Sequence, residues 1–145
     1  SAGETCKGKK QTRWTELVEK MLEEKGLAKY SHEVDEYQNG NELYGVVNVR
    51  HSFLGFKDRK LKESLAYRIS CETGEISVLA QKKDVFMIIA SEECVVYQDQ
   101  NTVFREGIPE GKAELLAQFP TDIQVENAEL ENEWVRCNLW TGYQS

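Results

Sequence analysis

Residues able to do chemistry are few and scattered in this 145-residue chain. There are two histidines, His32 and His51. His32 stands among Glu33, Asp35 and Glu36, while His51 shares an alternating apolar run with Val47 and Phe53. Neither has the His-x-x-x-His spacing that puts two imidazoles on one helix face for a metal. His51 would make a thiolate–imidazole pair with Cys71 or Cys94 if their strands were adjacent. A histidine on an apolar strand face more often serves as a hydrogen-bonded structural residue, so no catalytic residue, metal or cofactor is expected. The four cysteines, Cys6, Cys71, Cys94 and Cys137, are widely and irregularly spaced. Their even number allows two disulfides in any of three pairings, but no C-x-x-C occurs. Cys71 and Cys94 fall inside predicted strands, where a free cysteine behaves as a small buried hydrophobe. Reduced cysteines are therefore expected, and with them a cytoplasmic rather than a secreted setting.

Charge is the more informative signal. Between Arg50 and Arg68 lie six basic residues (Arg50, Lys57, Arg59, Lys60, Lys62, Arg68) against two acidic ones, in a chain whose net charge is −7. The run from Lys57 to Lys62 falls between two predicted strands, where ammonium and guanidinium groups on a hairpin loop can grip a phosphate or an acidic peptide. The anion- or partner-binding candidates are thus Arg50, Lys57, Arg59, Lys60 and Lys62. The overall acidity disfavours nucleic acid as a partner, because the phosphate backbone is repelled. A second run, Glu126, Glu129, Glu131 and Glu133, has the composition of a loose calcium site. It reads better as acidic residues complementing the dipole at a helix start.

Elements must hold these residues in place. Residues 1–11 are polar and aperiodic and read as a flexible lead, followed by a single α+β domain over 12–145. Trp14, Leu17, Val18, Met21 and Leu22 recur at helical spacing, which predicts an amphipathic helix from Thr12, as N-cap, to Lys25, with Gly26 as its stop. Its apolar stripe needs a sheet to cover it. The Asn39-Gly40 dipeptide predicts a hairpin, and Leu61–Cys71 alternates cleanly with Leu65, Tyr67, Ile69 and Cys71 inward. Short strands follow from Ile76, Val85, Cys94 and Thr102, and the nearly continuous apolar run Val85–Ala90 predicts a central strand covered on both faces. The fold expected is an N-terminal helix plus an antiparallel meander sheet, bent or closed into a partly open barrel. Lys112–Phe119 reads as a short helix. Asn127–Leu139 reads as a C-terminal helix carrying Leu130, Trp134 and Cys137, although Val135, Cys137 and Leu139 also alternate as in a strand.

Strands at Leu43, Leu61, Ile76, Val85, Cys94, Thr102 and Ile123 before a helix with Trp134 resemble the pleckstrin-homology superfold, which includes phosphotyrosine-binding domains. The resemblance covers Glu42 to Ser145. It implies a seven-stranded bent sheet closed by a C-terminal helix, and a binding module with basic residues such as Lys57, Arg59, Lys60 and Lys62 near its ligand. The leading helix over a curved sheet also resembles cystatin-like and nuclear-transport-factor-like folds, which implies a secreted or periplasmic ligand-binding or inhibitory protein. The expectation adopted is a soluble, non-enzymatic interaction module or scaffold segment. Its partner would be a protein, an acidic peptide or an anionic lipid, bound through a sheet edge or the Arg50–Lys62 loop. No apolar run reaches the ~20 residues needed to span a bilayer, and Ser1-Ala2-Gly3-Glu4 lacks the apolar core of a signal peptide behind it.

Overall fold

Strand β2 (Glu42–Arg50) is buried on both faces along its middle, and that single fact dictates layers on either side of it. The computed structural model describes residues 13–52, 60–109, 111–120, 124–131 and 134–140. Helix α1 (Arg13–Glu24) precedes an antiparallel sheet of β1 (His32–Asn39), β2, β3 (Leu61–Ser70) and β4 (Ile76–Lys83), in that order. A second antiparallel sheet follows as β5 (Phe86–Ala90), β6 (Cys94–Asp99), β7 (Thr102–Gly107) and β8 (Ala113–Gln118). A hairpin of β9 (Gln124–Glu131) and β10 (Trp134–Trp140) completes the described chain. The fold is α+β and mostly sheet, as the alternation required, with neither sheet closed into a barrel.

Three apolar clusters lie between four layers. Trp14, Val18, Met21 and Leu22 of α1 meet Leu43, Val47, Val49, Leu65, Tyr67 and Ile69 on one face of the first sheet. The opposite face, through Val46 and Ala66, packs on Met87, Val95 and Tyr97 of the second sheet. The far face of that sheet, with Ile88, Cys94, Val96 and Val103, is covered by Val125 of β9. The period-2 rule turns successive residues to opposite faces, so Val46 and Val47 serve different cores.

Helix α1 ends where the sequence predicts. Gly26 takes φ +72°, its N–H reaches the Glu23 carbonyl at 3.0 Å, and the Leu27 N–H reaches the Leu22 carbonyl at 2.8 Å. Those two bonds are the Schellman pair, and Leu22 and Leu27 add its apolar contact inside the first core. The β1–β2 hairpin turns on Gly40 and Asn41, with positive φ at Gly40 but not at Asn41. Glycine at the first central position suits a type II′ turn, rather than the Asn-Gly centre expected.

Two expected helices are strands. Within Lys112–Phe119, residues Ala113–Gln118 form edge strand β8, and the segment expected to close the fold as a C-terminal helix forms most of β9 and β10, with Trp134 opening β10. The seven-strand, helix-closed order of the pleckstrin-homology resemblance is therefore not the arrangement present. The reason is tertiary. The free edge of β7 pairs with β8, and the outer apolar face of the second sheet is covered by the hairpin, in segments whose residues fit either period. Strand β5 is an edge in hydrogen-bonding order, not central, yet it is packed on both faces because a layer lies on each side. No helix among the described residues is long and apolar enough to cross a membrane.

Asn48 joins the two sheets. Its Nδ2 donates to the Met87 carbonyl at 2.9 Å and its Oδ1 accepts from the Met87 N–H at 2.7 Å. The carboxamide thus completes the outer edge of β5 as a neighbouring strand's peptide group would. On the helix side, Tyr67 lies across Gly45 and donates its hydroxyl to Glu36 on β1. A Cβ at position 45 would overlap the Tyr67 ring and hydroxyl. Burial, then the bond to Glu36, push the Tyr67 pKa far above its ordinary value.

Asn48→Ala strands both polar groups of Met87 and should cost on the order of 2–4 kcal/mol in urea unfolding. A loss below about 0.5 kcal/mol would mean that other partners replace the carboxamide. The folded chain keeps the Tyr67 proton where the unfolded chain has lost it. This contribution to stability is therefore complete below pH 10.0, the ordinary tyrosine value, and declines above it by up to about 1.4 kcal/mol per pH unit. Urea midpoints measured from about pH 9 to about pH 11 should fall less steeply for Tyr67→Phe than for wild type.

Candidate functional site

The strands of the first sheet are antiparallel, so β1 and β3 begin at the end where β2 and β4 finish. Backbone bonds tie that end together. The Ser31 N–H donates to the Ser52 carbonyl at 2.6 Å, Arg50 N–H to Ser31 at 2.9 Å, and His51 N–H to Lys60 at 2.9 Å. The link from α1 to β1 crosses here and lays the Tyr30 ring against the helix-side core. Two ammonium groups converge on that ring. Lys62 Nζ lies 4.7 Å and Lys29 Nζ 5.4 Å from its centroid, both within cation–π range.

Of the candidates from sequence, Arg50, Lys60 and Lys62 come together at this end. Lys60 is exposed, and Arg50 donates from Nε to Glu33 Oε1 at 2.7 Å. Lys57 and Arg59 lie outside the described residues. Arg68 belongs elsewhere: it sits near the far end of β3, 3.1 Å from Glu42. The basic segment of the sequence is thus divided by the length of a strand. Lys29 was not singled out from sequence, although a signal for it existed. A helix stopped at Gly26 and a strand starting at His32 leave a short link that must pass the loop end of the β2–β3 hairpin.

His32 is held by two acceptors, the Tyr30 carbonyl at Nδ1 (2.9 Å) and Glu19 Oε1 at Nε2 (3.1 Å). A neutral ring can donate to only one of them. The residue fastens β1 to α1.

A groove of roughly 450 Å³ lies between α1 and β4, with its floor toward the far end of the sheet. Leu17 and Met21 form its helix wall and Ile76 and Val78 its floor, with Lys20 and Glu24 on the rim. At its basic end Lys25 donates to Gln81 Oε1 at 2.8 Å, and Gln81 in turn donates to Glu63. Val78 is 41% exposed on the groove floor. Lys82 points the other way, 2.8 Å from Glu106 and over the Tyr97 ring between the sheets.

The histidine–cysteine pairing considered from sequence is not assembled. Cys71 follows the last residue of β3, its N–H bonded to the Asn41 carbonyl, at the opposite end of the sheet from His51. The length of β2 separates those ends, roughly 3.3 Å for each of its nine residues. Cys71 is disulfide-bonded, which corrects the expectation of reduced cysteines at that position, and Cys94 is a free, buried thiol with Ser91 Oγ 3.7 Å away. The wide spacing of the cysteines carried no signal of this bond. Glu126, Glu129 and Glu131 fall on strand β9, so no helix dipole accounts for them. Among the described residues no group of acidic, histidine or cysteine side chains has the geometry to hold a metal ion.

Comparison of the chain with protein-family models, with curated proteins and with solved structures finds no match. The reading of its role rests on the geometry above. Alkylation of denatured, non-reduced protein should label Cys94 and spare Cys71, and peptide mass mapping would detect the difference. Labelling of Cys71 without prior reduction would remove the disulfide from the account.

Proposed function

We propose that this chain is a non-enzymatic interaction module that binds an acidic segment of a partner protein at the basic end of its first sheet. The observation that carries the reading is the convergence of Lys29 and Lys62 on Tyr30. Adding the two centroid distances, the ammonium groups are at most about 10 Å apart, close to the ~8 Å screening length at physiological ionic strength. Their repulsion is relieved by an anion between or beside them. Exposed Lys60 adds to the same field, while the sequence candidates Lys57 and Arg59 lie outside the described residues. Arg50 has a different part, holding β1 through Glu33. A local positive end on a molecule of net charge −7 also orients approach, since an acidic partner is repelled elsewhere on the surface.

A second reading is favoured by the disulfide at Cys71. Disulfides persist in oxidising compartments, which supports a secreted or periplasmic ligand-binding or inhibitory protein over the cytoplasmic setting expected from sequence.

The test is titration of a fluorescein-labelled oligoglutamate peptide, with vesicles containing phosphatidylserine as the comparison. Wild type should bind the peptide with an affinity that falls as salt is raised, and Lys29→Glu with Lys62→Glu should weaken it tenfold or more. Unchanged peptide binding by the double variant would discard the site. Preference for the vesicles would replace the peptide reading with a membrane one.

A further inference from the structure

We infer that the groove between α1 and β4 seats an extended peptide, part acidic and part apolar, as an added strand on the outer edge of β4. This rests on the reading of the basic end as an acidic-partner site and names how that partner is held.

The two four-stranded sheets have four outer strands, β1, β4, β5 and β8. The edge of β5 is occupied at Met87 by the Asn48 carboxamide. Strand β1 carries Glu33, Asp35 and Glu36 within eight residues, a line of negative charge that repels an acidic segment. Strand β8 exposes Ala113 to Leu116 in succession, so a strand added there gains backbone bonds but finds no wall for its side chains. Strand β4 has no strand beyond it among the described residues, and α1 stands over it as a wall. Edge pairing supplies affinity through the main chain, while pockets beside the edge choose among side chains.

Charge selects the occupant. Ile76, Val78, Gln81 and Lys83 pair with Ile69, Tyr67, Leu65 and Glu63, whose apolar members lie in the helix-side core, so these four β4 residues share the helix side. A register shift at Ala66/Tyr67 keeps Val78 on that side. The face therefore runs from apolar to basic, with Lys20 on the groove rim and Lys25 where it meets the basic end. Lysine on an edge strand discourages an uncharged or basic strand from pairing with it, but favours an acidic one. The fitting segment places aliphatic side chains over Ile76 and Val78 and its carboxylates toward Lys83, Lys25 and the Tyr30 lysines.

The experiment uses the whole chain and fluorescence anisotropy. The probe is an eight-residue labelled peptide with leucine and valine in one half and aspartate and glutamate in the other, made in both polarities. A control peptide keeps the acidic residues and replaces the aliphatic ones by serine. One polarity of the probe should bind at least about tenfold more tightly than the control, the gain expected from burying one aliphatic side chain. N-methylation of alternate peptide nitrogens should abolish that gain, as should Val78→Ser, an exposed position whose folding is checked by circular dichroism. Equal binding of probe and control, or a gain that survives N-methylation, overturns the added strand and leaves the basic-end reading standing. Binding of neither peptide overturns both.

Discussion

A strand buried on both faces cannot be satisfied by one partner. The middle of β2 offers Leu43, Val47 and Val49 to one side and Tyr44, Val46 and Asn48 to the other, and every layer of the molecule follows from that demand. The helix answers one face, the second sheet the other, and the second sheet then needs a cover of its own. Asn48 gives this stacking a definite register. Apolar faces alone would let the sheets slide, whereas a carboxamide bonded to both groups of Met87 fixes one relative position.

That chain of requirements explains what could be read from the residues alone. Helix α1 was legible because Trp14, Val18, Met21 and Leu22 repeat at its period and Gly26 stops it. Strand β3 was legible because Leu65, Tyr67 and Ile69 alternate with Ala66 and Arg68. Strands β8 and β10 were not, and β9 only at its start by Ile123 and Val125, because Leu115-Leu116 and Leu130 with Trp134 fit helical spacing as well as a strand's. What decided them lies in other segments: the free edge of β7 took β8, and the outer face of the second sheet took the β9–β10 hairpin. The bulges opposite Ala66/Tyr67 and beside Val49 were invisible for the same reason.

The site was half legible for a related cause. Counting charge found Arg50, Lys60 and Lys62, which share a sheet end because a hairpin joins their strands. The same count included Arg68, since sequence distance along β3 hides a separation of nearly a whole strand. It omitted Lys29, which reaches the site from an element on the other side of the hairpin. Local charge density thus located the region, and antiparallel topology decided its membership. The cysteines teach the converse, because a bond between distant positions leaves no periodic trace.

The seat of the Tyr67 ring over Gly45 has a consequence for how this sequence can diverge. The ring occupies the volume that any larger residue at 45 would claim, and its hydroxyl ends on Glu36 of the third strand across. Positions 36, 45 and 67 thus form one lineage-level unit on three neighbouring strands. A side chain can be gained at 45 only in step with a smaller residue at 67, and that exchange releases the acid at 36 from its role. Relatives of this chain should therefore show these three positions changing together or not at all, an inheritance pattern imposed by a single aromatic ring.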